Sequence, residues 1–425
     1  MSQLLKRGED PTKIRILDLF PSSRKDFASG PAANVAFFKA DITDGAAVHA
    51  AFEAPWPESS EPAAELTVFH TAANIRFYER HLALLDRSAR VNVQGTQNVI
   101  NAAQAVGASV LIYTSSGSVA IRRSRFWLWP WEREPQFLIQ VINDVDDVLF
   151  PKQHDQYFSN YAVTKVHAER LVRAADKTPT AGGGTLRTGC LRPGNGIYGP
   201  GDMFCHSYLR RPSNPTWVAN ILQSFTYVEN CACAHLCYER RLIDLAQPAC
   251  KNPDIGGQAF VIADPGPPIT LGDVYTTLET LTDGKTHFTH VSPTAMLLLS
   301  HLIELYYLTR EVWAAKIPFV QKVLPPVLGD IINLQPSLFA LMQVHLIFDD
   351  SRARLSPEKG GLGYQGSWTT IQGLHRTYRE HVKGFDNKHN SGTGGVTLDF
   401  TLFKRKVQKV VELPLKAPAE VATAH

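Results

Sequence analysis

Residues 109–119 read Ser-Val-Leu-Ile-Tyr-Thr-Ser-Ser-Gly-Ser-Val, and residues 161–165 read Tyr-Ala-Val-Thr-Lys. The first is an apolar run of strand length that closes in hydroxyls, and the second opens a segment, Ala162 to Ala175, with helical period. Working outward, Lys13 to Phe20, Val35 to Lys39, Thr67 to Thr71 and Gly189 to Arg192 are further strand candidates. Ala46 to Glu53 and Leu82 to Val106 are helical, with Val93, Val99, Ala102 and Val106 recurring at helical spacing. Strands alternating with helices predict an α/β fold with a doubly wound parallel sheet. Ser2 to Arg7 followed by Gly8 reads as the last turn of a helix and its glycine cap, before Pro11 and the first strand candidate.

Composition narrows the class. The 425 residues are 44% hydrophobic and 20% charged, which excludes a mainly disordered, collagen-like or coiled-coil chain. Lysine and arginine total 43 against 40 acids, so no global field draws in nucleic acid. Six scattered cysteines read as reduced thiols of an intracellular protein. The first ten residues lack the apolar core of a signal peptide.

Beyond Gly257 the rhythm changes. Gly266 within Pro265 to Pro268 marks a turn, and Thr270 with Asp273 predicts a helix N-cap. Pro293 to Leu308 is a nearly apolar helix, interrupted by His301 and Glu304; a buried core helix and a membrane-surface helix fit it equally. Three regions are expected: a nucleotide-binding core over 1–200, a substrate-binding and apolar, mostly helical region over 201–383 interleaved with it, and a flexible tail over 384–425 whose Lys404 to Lys409 run reads as solvated.

Tyr161 and Lys165 stand four apart, hence on one helix face. An ammonium beside a phenol favours the phenolate, making tyrosine a usable base toward an alcohol. Ser116, at the mouth of its strand, would hold a substrate oxygen beside it, with Thr114 and Ser115 as competitors. Val68 to Ala73 is another strand ending in small residues, and Leu191 to Asp202 reads Leu-Arg-Pro-Gly-Asn-Gly-Ile-Tyr-Gly-Pro-Gly-Asp.

Taken in order, these segments resemble an extended short-chain dehydrogenase/reductase of the 3β-hydroxysteroid dehydrogenase branch, over roughly residues 2–383. Tyr227 to Asn230 leading to Ala234 and His235, Gly257 to Phe260, and Gly361 to Tyr364 add to the likeness. Within the branch, the apolar C-terminal portion is most similar to sterol-4α-carboxylate 3-dehydrogenases. The resemblance implies an NAD cofactor and an apolar sterol, steroid or terpenoid substrate. Tyr161 becomes the catalytic base, Lys165 its partner and a ribose ligand, and Ser116 the orienting residue. Asp18 would bind the adenosine ribose, favouring NAD, while Arg24 and Lys25 keep NADP open. Asp41 and Ile42 would flank the adenine, Ala72 and Ala73 line the dinucleotide, Asn92 lie near the active site, and Pro193 border the nicotinamide. An intracellular enzyme on the cytoplasmic face is implied, with endoplasmic reticulum contact open.

The sequence departs from the family at its start. Too little chain precedes Asp18 for a first strand and a glycine-rich turn about 20 residues upstream of that acid. Gly194 to Gly199 matches the glycine fingerprint as text, but Pro193 and Pro200 bracket it and no helix opens there. The expectation is an N-terminally shortened enzyme, or a relative that has lost dinucleotide affinity and serves as scaffold or sensor; a reductase or epimerase of another apolar alcohol is a further alternative. Cys231, Cys233, His235 and Cys237 lack the spacing of a structural zinc site, so no metal is expected. Trp127, Trp129 and Trp131 lie in a stretch between Ser116 and Tyr161 longer than the family's. They read as packing of an inserted loop, with a bilayer interface or substrate gate as the alternative.

Overall fold

In chain order the strands are β1 (Arg15–Asp18), β2 (Ala36–Lys39), β3 (Thr67–His70), β4 (Val110–Thr114), β5 (Ile139–Ile142), β6 (Thr185–Pro193), β7 (Leu222–Gln223), β8 (Ala259–Ile262), β9 (Ile269–Thr270) and β10 (His345–Phe348). The main helices are α1 (Ser2–Arg7), α2 (Gly45–Glu53), α3 (Leu85–Ala89), α4 (Thr96–Ala105), α5 (Asn160–Ala174), α6 (Val228–Ala246), α7 (Leu271–Leu281), α8 (Pro293–Leu308), α9 (Pro336–Met342) and α10 (Thr370–Val382). They come from a computed structural model that describes all residues except 58–64, 145–150, 152, 203, 315–316, 318, 320–322 and 386–425. The expected tail thus lies almost wholly outside the described residues.

Every residue of β4 is buried, which is why its sequence is continuously apolar instead of alternating. Leu111 and Tyr113 pack with Val99 and Ala103 of α4 and Ala168 and Val172 of α5. Val110 and Ile112 face the other way, onto Ala234, Tyr238 and Leu242 of α6. One strand therefore serves two helical layers, the doubly wound arrangement. The parallel order is β8-β6-β4-β3.

The sheet is in two pieces. Among the described residues β1 pairs only with β2, in parallel register Arg15 to Ala36, and β3 pairs only with β4. Each of β1 and β3 thus keeps an unpaired edge where a doubly wound sheet places its first strand. The smaller piece is anchored through Arg15, whose guanidinium donates to the Ala51 and Ala54 carbonyls at the end of α2 and lies over the Trp56 ring at 4.0 Å. Gly95 lets Ile42 close against the helical run from α3 to α4, because a Cβ there would meet Ile42 at 2.7 Å. That run widens into a π turn at Arg90–Gly95. Gly8 caps α1 at φ 94°, and Lys6 and Arg7 tie α1 to Glu229 and Glu239 of α6.

A second, mixed sheet has the order β9-β7-β10-β5. The sequence reading did not contain it, since two-residue strands such as β7 and β9 carry no periodicity. Thr270 caps α7 in a reciprocal box with Asp273, as its spacing predicts. Thr270→Ala is expected to cost about 0.5–2 kcal/mol of stability, measured by urea unfolding. In α8, Leu297, Ser300, Ile303 and Tyr307 are buried while Leu298, Leu302 and Leu305 are more than half exposed. The helix is thus core on one side and apolar surface on the other. Among the described residues no helix is long and apolar enough to cross a membrane.

Candidate active site

A cleft of about 3410 Å³ opens at the carboxyl ends of β3, β4 and β6. Thr71, Ala73, Ser116, Tyr161, Lys165 and Pro193 all line it. Its size exceeds the ~300–1,000 Å³ of an ordinary small-molecule site.

The three adjacent hydroxyls after β4 are separated by their partners. Thr114 meets His235 Nε2 at 2.7 Å, and His235 Nδ1 lies 2.8 Å from the Cys231 carbonyl. A carbonyl only accepts, so the imidazole proton is on Nδ1 and the Thr114 hydroxyl donates to Nε2. Burial lowers the His235 pKa to about 4, leaving it neutral. Ser115 donates to Glu169 Oε2 at 2.5 Å. Ser116 is left, its hydroxyl 2.8 Å from that of Ser118, and it is the side chain that pulls the Tyr161 pKa downward.

Ser159 caps α5, accepting from the Ala162 amide, and so fixes where Tyr161 leaves the first turn. One turn on, Lys165 is buried and donates to the Thr114 carbonyl at 2.6 Å, its ammonium 4.3 Å from the centre of the Tyr113 ring. Burial brings the Lys165 pKa down to about 7, against the opposing pull of Cys190 and Glu169. Burial pushes Tyr161 up to about 12, with the Ser116 hydrogen bond pulling the other way.

Glu169, one turn further along the face that carries Tyr161 and Lys165, is missing from the sequence-derived site. It is buried, accepts from Arg192 Nε at 3.0 Å as well as from Ser115, and is flanked by Arg173 at 3.6 Å. The signal was available: a carboxylate recurring at i+4 on a face whose other members are buried requires a buried partner.

The other residues named from sequence fall elsewhere. Asn92 sits buried in the π turn, accepting from the Asn74 amide at 2.7 Å and donating to Thr164 at 3.0 Å, so it holds the loop after β3 against α5. Asp18 is exposed at the end of β1 and accepts from the Phe20 amide at 3.4 Å. The Asp41 carboxylate turns back onto the Thr43 amide, and Ile42 packs on α4. Ala72 is exposed beside Ala73. Arg24 lines the cleft but is engaged by Asp26 and Glu380. Among the described residues no group of three or more metal-ligating side chains converges, and both His235 nitrogens are occupied as above.

Residues 1–286 match the family model of the 3-beta hydroxysteroid dehydrogenase/isomerase family. The chain belongs to this family. It is 30% identical over 94% of its length to the 3beta-hydroxysteroid-dehydrogenase/decarboxylase isoform 2 of Arabidopsis thaliana, and 28% identical over 73% of its length to isoform 1. It spans 64% and 61% of the length of those two relatives. Against the decarboxylating sterol-4-alpha-carboxylate 3-dehydrogenase of Candida albicans it is 32% identical, over 42% of this chain and 45% of the relative. In fold the family member resembles the UDP-glucose 4-epimerase of Thermotoga maritima, with a TM-score of 0.54 and 17% identity, covering 91% of this chain and 94% of that one.

Proposed function

We propose that the chain is an oxidoreductase that removes hydrogen from the 3β-hydroxyl of a sterol-like substrate with NAD as acceptor, and that a carboxylate on the neighbouring carbon leaves as carbon dioxide. The observation that carries this reading is that Ser116, Tyr161 and Lys165 line one cleft, with Lys165 one turn along α5 from Tyr161. The names of the relatives supply the substrate class.

The residues present fit the nicotinamide end of a dinucleotide, where Lys165 and Pro193 line the cleft beside Tyr161. Asp18, which would take the adenosine ribose, is exposed at the end of β1 and does not line that cleft. Bound there, NAD would accept the hydride. Ser116 holds the carbinol oxygen, and the Tyr161 phenolate takes its proton while the carbon–hydrogen pair departs. Lys165, held one turn along by the Thr114 carbonyl, would face the nicotinamide ribose. The ketone so formed, being β to the carboxylate, accepts the electron pair of the breaking carbon–carbon bond, and water protonates the enolate.

The test is the full chain incubated with NAD and a 3β-hydroxysterol bearing a 4-carboxylate. NADH absorbance, 3-ketone and released carbon dioxide are expected in equal amounts. No nicotinamide reduction would refute the dehydrogenase reading. A second reading, a binding protein without catalysis, is favoured by the burial that pushes the Tyr161 pKa up to about 12 and keeps the phenol protonated at neutral pH. Calorimetry with NAD separates the two: binding is expected for the enzyme, none for the binding protein.

We also propose that the enzyme touches a membrane surface. Leu298, Leu302 and Leu305 form an exposed apolar stripe on α8, and Trp127 joins it by donating from its indole to His301 at 3.2 Å. Trp129 and Trp131, stacked at 5.5 Å, are exposed beside it in sequence. Apolar stripes with interfacial tryptophans bind bilayer surfaces. Leu302→Asp is expected to abolish co-sedimentation with phospholipid vesicles without altering the circular dichroism.

A further inference from the structure

A second cavity of about 540 Å³ lies beside the large cleft, with Phe158 as the wall they share. Its sides come from separate parts of the chain. Phe126, Phe158, Leu297 and Ala340 supply an apolar interior, contributed by the inserted loop, the approach to α5, α8 and α9. Arg80, Arg122, Arg123 and Arg125 also line it, an unusual concentration of guanidinium groups around one apolar space.

These arginines differ in how they are compensated. Arg80 is forked onto Glu304, at 2.5 and 2.6 Å. Arg125 pairs with Glu132. Arg122 lies over the Phe137 ring at 5.2 Å and has further polar contacts. The Arg123 side chain makes no hydrogen bond or ion pair within the described residues. Arg123 itself is held below the usual arginine value by partial burial and by repulsion from Arg80, against the pull of Glu304 and Asp155. His301 is held below the usual imidazole value by burial, then by Arg80 and Arg123, against Glu304. Because the Trp127 indole can only donate, His301 Nε2 is the acceptor and the ring is neutral. The cavity thus presents an apolar interior beside the exposed Arg123 guanidinium, which makes no side-chain hydrogen bond among the described residues, with a neutral imidazole and Asp155 also on its walls.

We propose that this cavity is a binding site for a single-chain anionic amphiphile, its carboxylate or phosphate head on Arg123 and its hydrocarbon inside. The volume falls within the ~300–1,000 Å³ of small-molecule sites, and a charge-assisted hydrogen bond to a guanidinium selects an anionic head over a hydroxyl. The site is separate from the Ser116–Tyr161–Lys165 group, so it can be assayed without turnover.

Calorimetry on the full chain with dodecanoate, dodecyl phosphate and 1-dodecanol, each below its aggregation limit, tests the proposal. One anionic amphiphile per chain is expected, at least about tenfold tighter than the alcohol, and the tighter of the two heads identifies the source. Arg123→Gln is expected to weaken the anion about tenfold and leave the alcohol unchanged, in line with the loss of a charged hydrogen bond. Ala340→Phe, which fills the interior, is expected to abolish binding of both in a protein that still melts cooperatively. Equal affinity for alcohol and anion, unchanged affinity in Arg123→Gln, or no binding at all would overturn the assignment. Displacement of dodecanoate by a 3β-hydroxysterol would also overturn it, since the cavity would then be an arm of the substrate cleft.

Discussion

Replacing Tyr161 by phenylalanine is expected to lower kcat/KM for oxidation of a 3β-hydroxysterol by roughly 10²- to 10⁴-fold, the contribution of a positioned general base. The ring and its packing stay, so KM should change little and the loss should appear in kcat. The pH profile carries a second signature. Burial pushes the Tyr161 pKa up to about 12, so at neutral pH the phenol holds its proton and oxidation by the wild-type chain rises as the pH is raised. Ser116 opposes that shift, so Ser116→Ala is expected to displace the rise to higher pH, whereas Tyr161→Phe should abolish it. Steady-state rates between pH 6 and 10 for the three proteins check both effects. A Tyr161→Phe enzyme with the wild-type profile would show that the base lies elsewhere.

The second large effect concerns the buried pair behind the site. Glu169→Leu is expected to destabilise the fold by about 3–5 kcal/mol, because the buried Arg192 guanidinium loses the carboxylate that accepts from two of its nitrogens and Ser115 loses its acceptor. Both partners are essentially inaccessible, with side-chain exposures of 1% each, so water cannot take the carboxylate's place. Adding Arg192→Leu should recover most of that loss, since a well-packed apolar pair often equals a buried ion pair. Urea denaturation of the single and double variants reads this directly. Equal stability of Glu169→Leu and wild type would show that Arg192 finds another partner.

Much of the core was legible because its signals are local. The continuous apolar run at Val110–Thr114 can only be a strand buried on both faces, and its hydroxyl end marks the ligand side of a parallel sheet. Tyr161 and Lys165 share a face by helix geometry alone. The cap at Thr270 and the glycine stop after Arg7 are likewise set within four residues. The mixed sheet was not legible: β7 and β9 are two residues long, and their partners in β10 and β5 are far away in sequence. Ser116 was named from sequence over Thr114 and Ser115, but what engages those two competitors, His235 and Glu169, comes from other elements and was not legible.

By itself, then, the sequence determined the class of fold, the helix face that Tyr161 and Lys165 share, and the family. The first two follow from short-range periodicity, and the family from the order of several motifs along the chain. The tertiary structure alone decided that Thr114 is taken by His235 and Ser115 by Glu169, that Glu169 and Arg192 pair behind them, that β1 and β3 lie in separate sheets among the described residues, and that the arginines of the inserted loop line a cavity. Each is a contact between residues distant in the chain, and such contacts are selected by burial and charge compensation in three dimensions, which no local pattern records.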